Sequence, residues 1–284
     1  MDYLHILFGL SFILYGPVIG GLIAGLDRKL TARMQGRVGP PVLQPFYDII
    51  KLFGKEKIAV IYSENFWVIS YLVFIIITGM LFFAGGDLLL VIFALTLAHV
   101  FLILGAFSSS SPYAHIGAER ELIQLMAVEP MIILAAVGMY QVTGSFFVTE
   151  ILAYPGLLIL ILPGVFVGFV YVLTFKLRKS PFDLATSHHA HQELVKGLTT
   201  EFAGPTLGFY ELAHLYETMM LLGFIYLFFG MMPLMGILAV IIVYFIEIFI
   251  DNATTRIPWQ PALITAWVVT LILGGLNLVA LYLL

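Results

Sequence analysis

The sequence predicts an all-α polytopic membrane protein with eight transmembrane helices and ordered cytoplasmic loops, one of them carrying an amphipathic interfacial helix. Three observations predict it. The 284-residue chain is 61% hydrophobic and 11% charged, with a mean hydropathy of +1.06, outside the range of soluble domains. Eight apolar runs lie near 4–26, 66–84, 88–107, 121–142, 156–175, 208–230, 232–250 and 261–283. Each approaches the roughly 20 helical residues that cross about 30 Å of hydrocarbon. All thirteen Lys and Arg fall in alternate connections: seven between spans 1 and 2, one between 3 and 4, four between 5 and 6, and one between 7 and 8.

The runs are continuous and do not alternate with period two, which selects helices over a barrel. The first follows no basic segment and contains no small-residue cleavage site, so it is read as a retained span. Positive residues stay on the cytoplasmic side, which puts both termini outside a prokaryotic cell membrane. Residues 1–284 form a single membrane domain with no nucleic-acid patch, low-complexity segment or internal repeat. There is no cysteine, so the chain cannot hold an iron–sulfur cluster or a nickel centre by thiolates. If electron transfer is involved, other subunits carry it, and no cofactor is expected on this chain.

The first inner connection, DRKLTARMQGRVGPPVLQPFYDIIKLFGKEKI, carries Arg28, Arg33 and Arg37 beside a Gly-Pro elbow. After Pro45, Phe46, Ile49, Ile50 and Phe53 recur at helical spacing, with Asp48, Lys51 and Lys55 on another face. This predicts a short helix in the interface plane, either a membrane-surface anchor or a docking platform for a soluble partner. The second connection places Glu119, Arg120 and Glu121 at the mouth of span 4. Gln124 and Glu129 follow Glu121 at i+3 and i+8, an inward polar stripe able to carry protons. The helix dipole accounts for acids in a first turn, but not for Glu129, which lies deeper.

The third connection and the run after it, residues 180–217, hold His188, His189, His191 and His214 with Asp183, Glu193, Glu201, Glu211 and Glu217. A short helix from about Thr186 or Ser187 to Gly197 is expected. The spacing of His188, His189 and His191 defines no ligand set, so they are read as interface or titrating groups and not as metal ligands. Glu211, His214 and Glu217 recur every three residues along span 6, one face carrying acid, imidazole and acid. Ionisable groups at membrane depth usually face a protein interior or a water-filled cavity and mark ion routes. Glu121, Glu129, Asp183, Glu193, Glu201, Glu211, His214 and Glu217 are therefore the candidate pathway. Glu247, near the inner end of span 7, is weaker evidence for a route, since interfacial acids can snorkel.

These motifs carry a family resemblance. DRKLTARMQGRVGP with QPFYDIIKLFGKE, IGAERELIQLMAVEP, and SPFDLATSHHAHQELVKGLTTEF resemble, in order, the three inner loops of the heel subunit of respiratory complex I. Arg120, Gln124, Glu129, Pro181, Phe182, Asp183, Glu193 and Glu201 fall on matching positions. That subunit joins the membrane arm to the peripheral arm and forms much of the quinone chamber. GPPVLQP is shorter than the complex I pattern and DNATTRIPWQPA lacks its Arg-Tyr-Asp motif, while the histidine-rich SHHAHQELVKG with AGPTLGFYELAHLYE instead resembles the membrane subunit of energy-converting group 4 [NiFe]-hydrogenases. The resemblance implies an ion-translocating heel subunit without a redox centre of its own, in a complex passing electrons from ferredoxin to protons. Implied partners are hydrogenase large and small subunits, which would hold the Ni–Fe centre, a ferredoxin-like iron–sulfur subunit, antiporter-like membrane subunits and the lipid bilayer. Arg28, Arg33, Arg37, Asp48, Lys51, Lys55, Arg120, His188, His189 and His191 are expected to face the peripheral arm. A quinone-reducing complex or a ferredoxin-dependent sulfur-reducing complex is the alternative.

Overall fold

The computed structural model describes residues 3–56, 62–179, 181–182, 197–255 and 257–283. Among them the chain is almost entirely helical and has no strand. The helices are α1 (Tyr3–Met34), α2 (Gln44–Phe53), α3 (Tyr62–Phe83), α4 (Leu88–Phe107), α5 (Pro112–Thr143), α6 (Val148–Leu152), α7 (Leu158–Ile161), α8 (Pro163–Lys176), α9 (Pro205–Leu227), α10 (Pro233–Ala253), α11 (Trp259–Val269) and α12 (Leu276–Leu283). A π-helical stretch, Thr270–Gly275, joins the last two into one 25-residue rod.

Six of these segments are long and apolar enough to cross a membrane: α1, α3, α4, α5, α10 and the α11–α12 rod. The other two expected spans differ. At 156–175 the chain breaks at Leu162, where Pro163 removes a backbone donor, and leaves the four-residue α7 and the 14-residue α8. The amide of Asn277 on α12 closes this break. Its Oδ1 accepts from the N–H of Gly164 and Val165 at 2.9 and 3.2 Å, and its Nδ2 donates to the Ile161 carbonyl. The eighth segment is α9, which is mostly buried and carries Glu211, His214 and Glu217 among its 23 residues.

Two boundaries move relative to the sequence reading. α1 runs to Met34, so Arg28 and Arg33 belong to a helix and not to a loop. α5 begins at Pro112, so Glu119, Arg120 and Glu121 also lie within a helix. α9 is the centre of the bundle and packs against α1, α2, α3 and α10. The α1–α9 crossing is close because Gly20 has no side chain: a Cβ there would collide with the Leu215 carbonyl. The short helix at Gln44–Phe53 exists as expected, with Pro45 in its first turn. It packs over α1 and α9, with Phe46 against Gly21 and Phe53 edge-on to Phe209 at 5.1 Å.

Candidate functional site

The site begins at the end of α8. Lys179 donates its backbone N–H to the Thr174 carbonyl and Arg178 to that of Phe175, each at 3.0 Å. This is the paired-bond C-cap that normally places glycine in the left-handed position. Here Arg178 occupies it, at φ +55°, a conformation costing a non-glycine residue on the order of 1 kcal/mol. The turn sends two adjacent cations in different directions. Arg178 reaches both oxygens of Glu121 on α5, at 2.9 and 3.4 Å, and lies 5.8 Å from the centre of the Tyr210 ring. Lys179 reaches Asp27 on α1 at 2.6 Å and lies over Tyr244. Burial works to lower the pKa of the Arg178 guanidinium; the Glu121 carboxylate, with smaller help from Tyr210, Tyr71 and Glu217, raises it above its usual value. It is a fixed charge.

Deeper in the bundle, three helices bring together Tyr71 (α3), His99 (α4) and Glu217 (α9). The His99 and Glu217 side chains are 3% and 1% exposed, and His99 Nε2 lies 3.0 Å from Glu217 Oε1. Tyr71 donates its hydroxyl to Glu217 Oε2 at 3.1 Å. His99 Nδ1 is 2.9 Å from the Leu95 carbonyl one turn back. His214 Nδ1 stands 4.0 Å from Glu217 Oε2. Tyr71 also stacks on Tyr210, with centroids 6.3 Å apart, which links this cluster to Arg178. One turn before His99, Thr96 donates to Glu129 on α5 at 2.5 Å.

A cavity of about 640 Å³ opens at the end of the bundle where α1, α2, α9 and α10 meet the α8 cap. Its polar lining includes Asp27, Arg28, Asp48, Lys179, Glu211 and His214. A second space of about 20 Å³ lies between His99, Glu121, Gln124, Lys176 and Arg178, large enough for one water.

The expected pathway residues thus fall at different depths. Glu211 and His214 line the cavity, Glu217 is buried behind them, Glu121 is paired to Arg178, and Glu129 is half-buried against Thr96. Glu201 is half-buried in the bend before α9, beside buried Glu64. Asp183, Glu193, His188, His189 and His191 lie outside the described residues. Of the expected interface cations, Arg33, Arg37, Lys51 and Lys55 are exposed, Arg28 pairs with Asp48 at 2.6 Å, and Arg120 is half-buried beside α5 neighbours and Trp259. Glu247 does not snorkel: it is 0% exposed, 3.4 Å from the Thr174 hydroxyl, because α10 turns that face onto α8. His99, Tyr71 and Asp27 were not among the expected residues. His99 had a signal, as the lone ionisable side chain in the run 88–107.

A family model described as NADH dehydrogenase matches residues 7–282, and the chain belongs to that family. It is 32% identical over 219 residues to hydrogenase-4 component C of Escherichia coli, covering 71% of this chain and 68% of the relative. Formate hydrogenlyase subunit 4 of the same organism is 30% identical over 67% of this chain and 66% of the relative. A subunit of the NADH-quinone oxidoreductase of Bacillus cytotoxicus is 30% identical, covering 82% of this chain and 73% of the relative. Among solved structures, a chain of the archaeal membrane-bound sulfane sulfur reductase, a respiratory membrane complex, superposes with a TM-score of 0.84. It has 26% identity and covers 98% of this chain and 99% of that one.

Proposed function

We propose that this member of the NADH dehydrogenase family is the ion-translocating heel subunit of an energy-converting, ferredoxin-dependent [NiFe]-hydrogenase. As a membrane subunit of the kind found in hydrogenase-4 and complex I-like respiratory assemblies, it has relatives that act within oxidoreductase complexes. The observation that carries the ion-moving role is the series of ionisable groups from the cavity into the bundle: Glu211 and His214 at the cavity, Glu121 beside Arg178, and Glu217 with His99 and then Glu129 deeper in. A membrane protein pays heavily for such groups unless they serve transport.

In this reading the exposed cations Arg33, Arg37, Lys51 and Lys55 dock the peripheral arm, together with Arg28, Asp48 and Arg120. The large and small hydrogenase subunits, a ferredoxin-like subunit and antiporter-like membrane subunits complete the complex, and the Ni–Fe and iron–sulfur centres sit on those partners. A redox-linked charge arriving beside the cavity acts first on Glu211 and His214, which line it, and the interior groups pass the change on. Both termini face outward. The second reading, a subunit of a sulfur-reducing complex, draws on the solved reductase chain that superposes along nearly the whole length. Purifying the native complex and assaying nickel, quinone, hydrogen evolution and polysulfide reduction separates the two. Nickel with hydrogen evolution supports the first; polysulfide turnover without nickel supports the second.

A further inference from the structure

We propose that His99 and Glu217 form a one-proton site inside the bundle, loaded from the cavity past Glu211 and His214, whose chemistry admits a proton and excludes sodium. This rests on the ion-translocation reading for its role, while its chemistry can be tested alone.

A backbone carbonyl only accepts hydrogen bonds. His99 Nδ1, 2.9 Å from the Leu95 carbonyl, therefore carries a hydrogen. On the other side Nε2 approaches Glu217 Oε1 to 3.0 Å. The contact is close but not an aligned hydrogen bond, since Oε1 has no hydrogen-bond partner among the described residues. A deprotonated imidazole nitrogen and a carboxylate oxygen are both electron-rich, and a proton on one of them is what turns so close a buried contact from repulsive to attractive. The pair thus holds one shared proton, as imidazolium with carboxylate or as imidazole with carboxylic acid. Both forms have zero net charge, which suits a buried site.

The surroundings define the two faces of the site. From α3, Tyr71 donates to Oε2. From α9, His214 stands 4.0 Å from the same oxygen and also lines the cavity, and Tyr210 stacks on Tyr71. From the end of α8, Lys176 and Arg178 act on Glu217 through space. From α5, Glu121 and Gln124 face His99 across the small space. A proton entering at Oε2 from the His214 side, and one leaving the pair on the side of that space, returns the site to its starting charge. No covalent bond forms and no electron moves.

Sodium is a hard cation that needs a shell of oxygen ligands. Glu217 accepts from Tyr71 at one oxygen and sets the other 3.0 Å from the His99 ring, and its remaining neighbours are imidazole, ammonium and guanidinium. A proton requires one acceptor; a sodium ion would meet donors and positive charge.

The test uses the purified native complex, with the histidine rings isotopically labelled, and infrared difference spectra between its oxidised and reduced states. We expect deuterium-sensitive histidine and carboxyl bands that vanish together in His99→Gln and do not change when sodium is replaced by potassium. Tyr71→Phe, which keeps the ring and removes one donor, should shift the carboxyl band. In inverted vesicles His99→Gln should lower ion uptake per electron by at least about tenfold, a modest loss for a positioned acid–base group. Histidine bands that persist in His99→Gln overturn the site, and bands that require sodium overturn the selectivity. If His99→Gln does not assemble, a wild-type spectrum without sodium-independent histidine bands, or an unshifted carboxyl band in Tyr71→Phe, overturns it instead. Wild-type vesicles that turn over without any ion uptake, yet keep the histidine bands, overturn the translocation reading and support the site.

Discussion

Glu121 and Glu217 are both buried carboxylates, joined through Arg178, Tyr210 and Tyr71, yet they meet opposite kinds of partner. Glu121 faces a guanidinium that binds both of its oxygens. Glu217 faces an imidazole and a phenol. A guanidinium stays charged at any accessible pH, and Glu121 raises its pKa further. A base whose folded pKa is raised contributes stability at every pH below its unfolded value, so this pair contributes across the whole physiological range. An imidazole can gain or lose a proton in that range. On the proposal above, the same acid is a lock in one place and part of a proton site in the other, and the partner decides which.

The lock should give the largest effect when broken. Arg178→Gln leaves Glu121 charged, buried and uncompensated, a change that typically costs about 3–5 kcal/mol. The variant complex should be recovered in much lower yield and dissociate at lower denaturant. Arg178→Lys restores the charge but not the two-oxygen grip, and should fall between. Wild-type stability in Arg178→Gln would erase the distinction drawn above.

Function should respond more than stability at the carboxylates that have no fixed cation among the described residues. Glu129→Gln keeps an acceptor for Thr96 and loses the carboxylate, so on the proposed hydrogenase function the complex should assemble and retain its metal centres. Ferredoxin-driven turnover in inverted vesicles should then slow by about 100-fold or run without building a gradient, within the range of positioned proton-transfer groups. Normal turnover and gradient in both Glu129→Gln and Glu201→Gln would make these residues structural. Reversing Arg33 and Arg37 to Glu tests the surface instead. Both side chains are exposed, so the membrane chain should still insert while the peripheral subunits are lost on purification. Full retention would remove these residues from the docking surface.

The fold was legible in the sequence wherever hydropathy alone decided. The runs at 66–84 and 88–107 became α3 and α4 nearly unchanged, because lipid permits few alternatives to a closed helix. It was less legible where tertiary contacts decide. Nothing local announces that Asn277 closes the break at Pro163, a pairing across more than a hundred residues. In the site, the acids stood out because charge in an apolar run is rare, so Glu129 and Glu217 were found. Their partners were harder. Lys176, Arg178 and Lys179 looked like ordinary inner-face cations, yet Lys176 is buried at the end of α8, and the left-handed turn at Arg178 sends that residue to Glu121 and Lys179 to Asp27. His99 was overlooked because a single imidazole in a span reads as a satisfied core residue until Glu217 is placed beside it.

The smallest effect should come from the ion pair with the shortest reach to solvent. Arg28 and Asp48 are 2.6 Å apart, with side chains 43% and 41% exposed. A pair so exposed is screened by salt and contributes between about 0 and 1 kcal/mol. Asp48 would also keep a partner without Arg28, since Gln44 Nε2 donates to its other oxygen at 2.8 Å. The short helix α2 is held instead by Phe46 against Gly21 and by Phe53 against Phe209. Arg28→Ala should therefore shift the unfolding of the detergent-purified chain by less than about 1 kcal/mol, and raising salt should reduce even that. A loss comparable to Arg178→Gln would mean that α2 is fastened by charge, and that burial is not what separates the strong pairs of this protein from the weak ones.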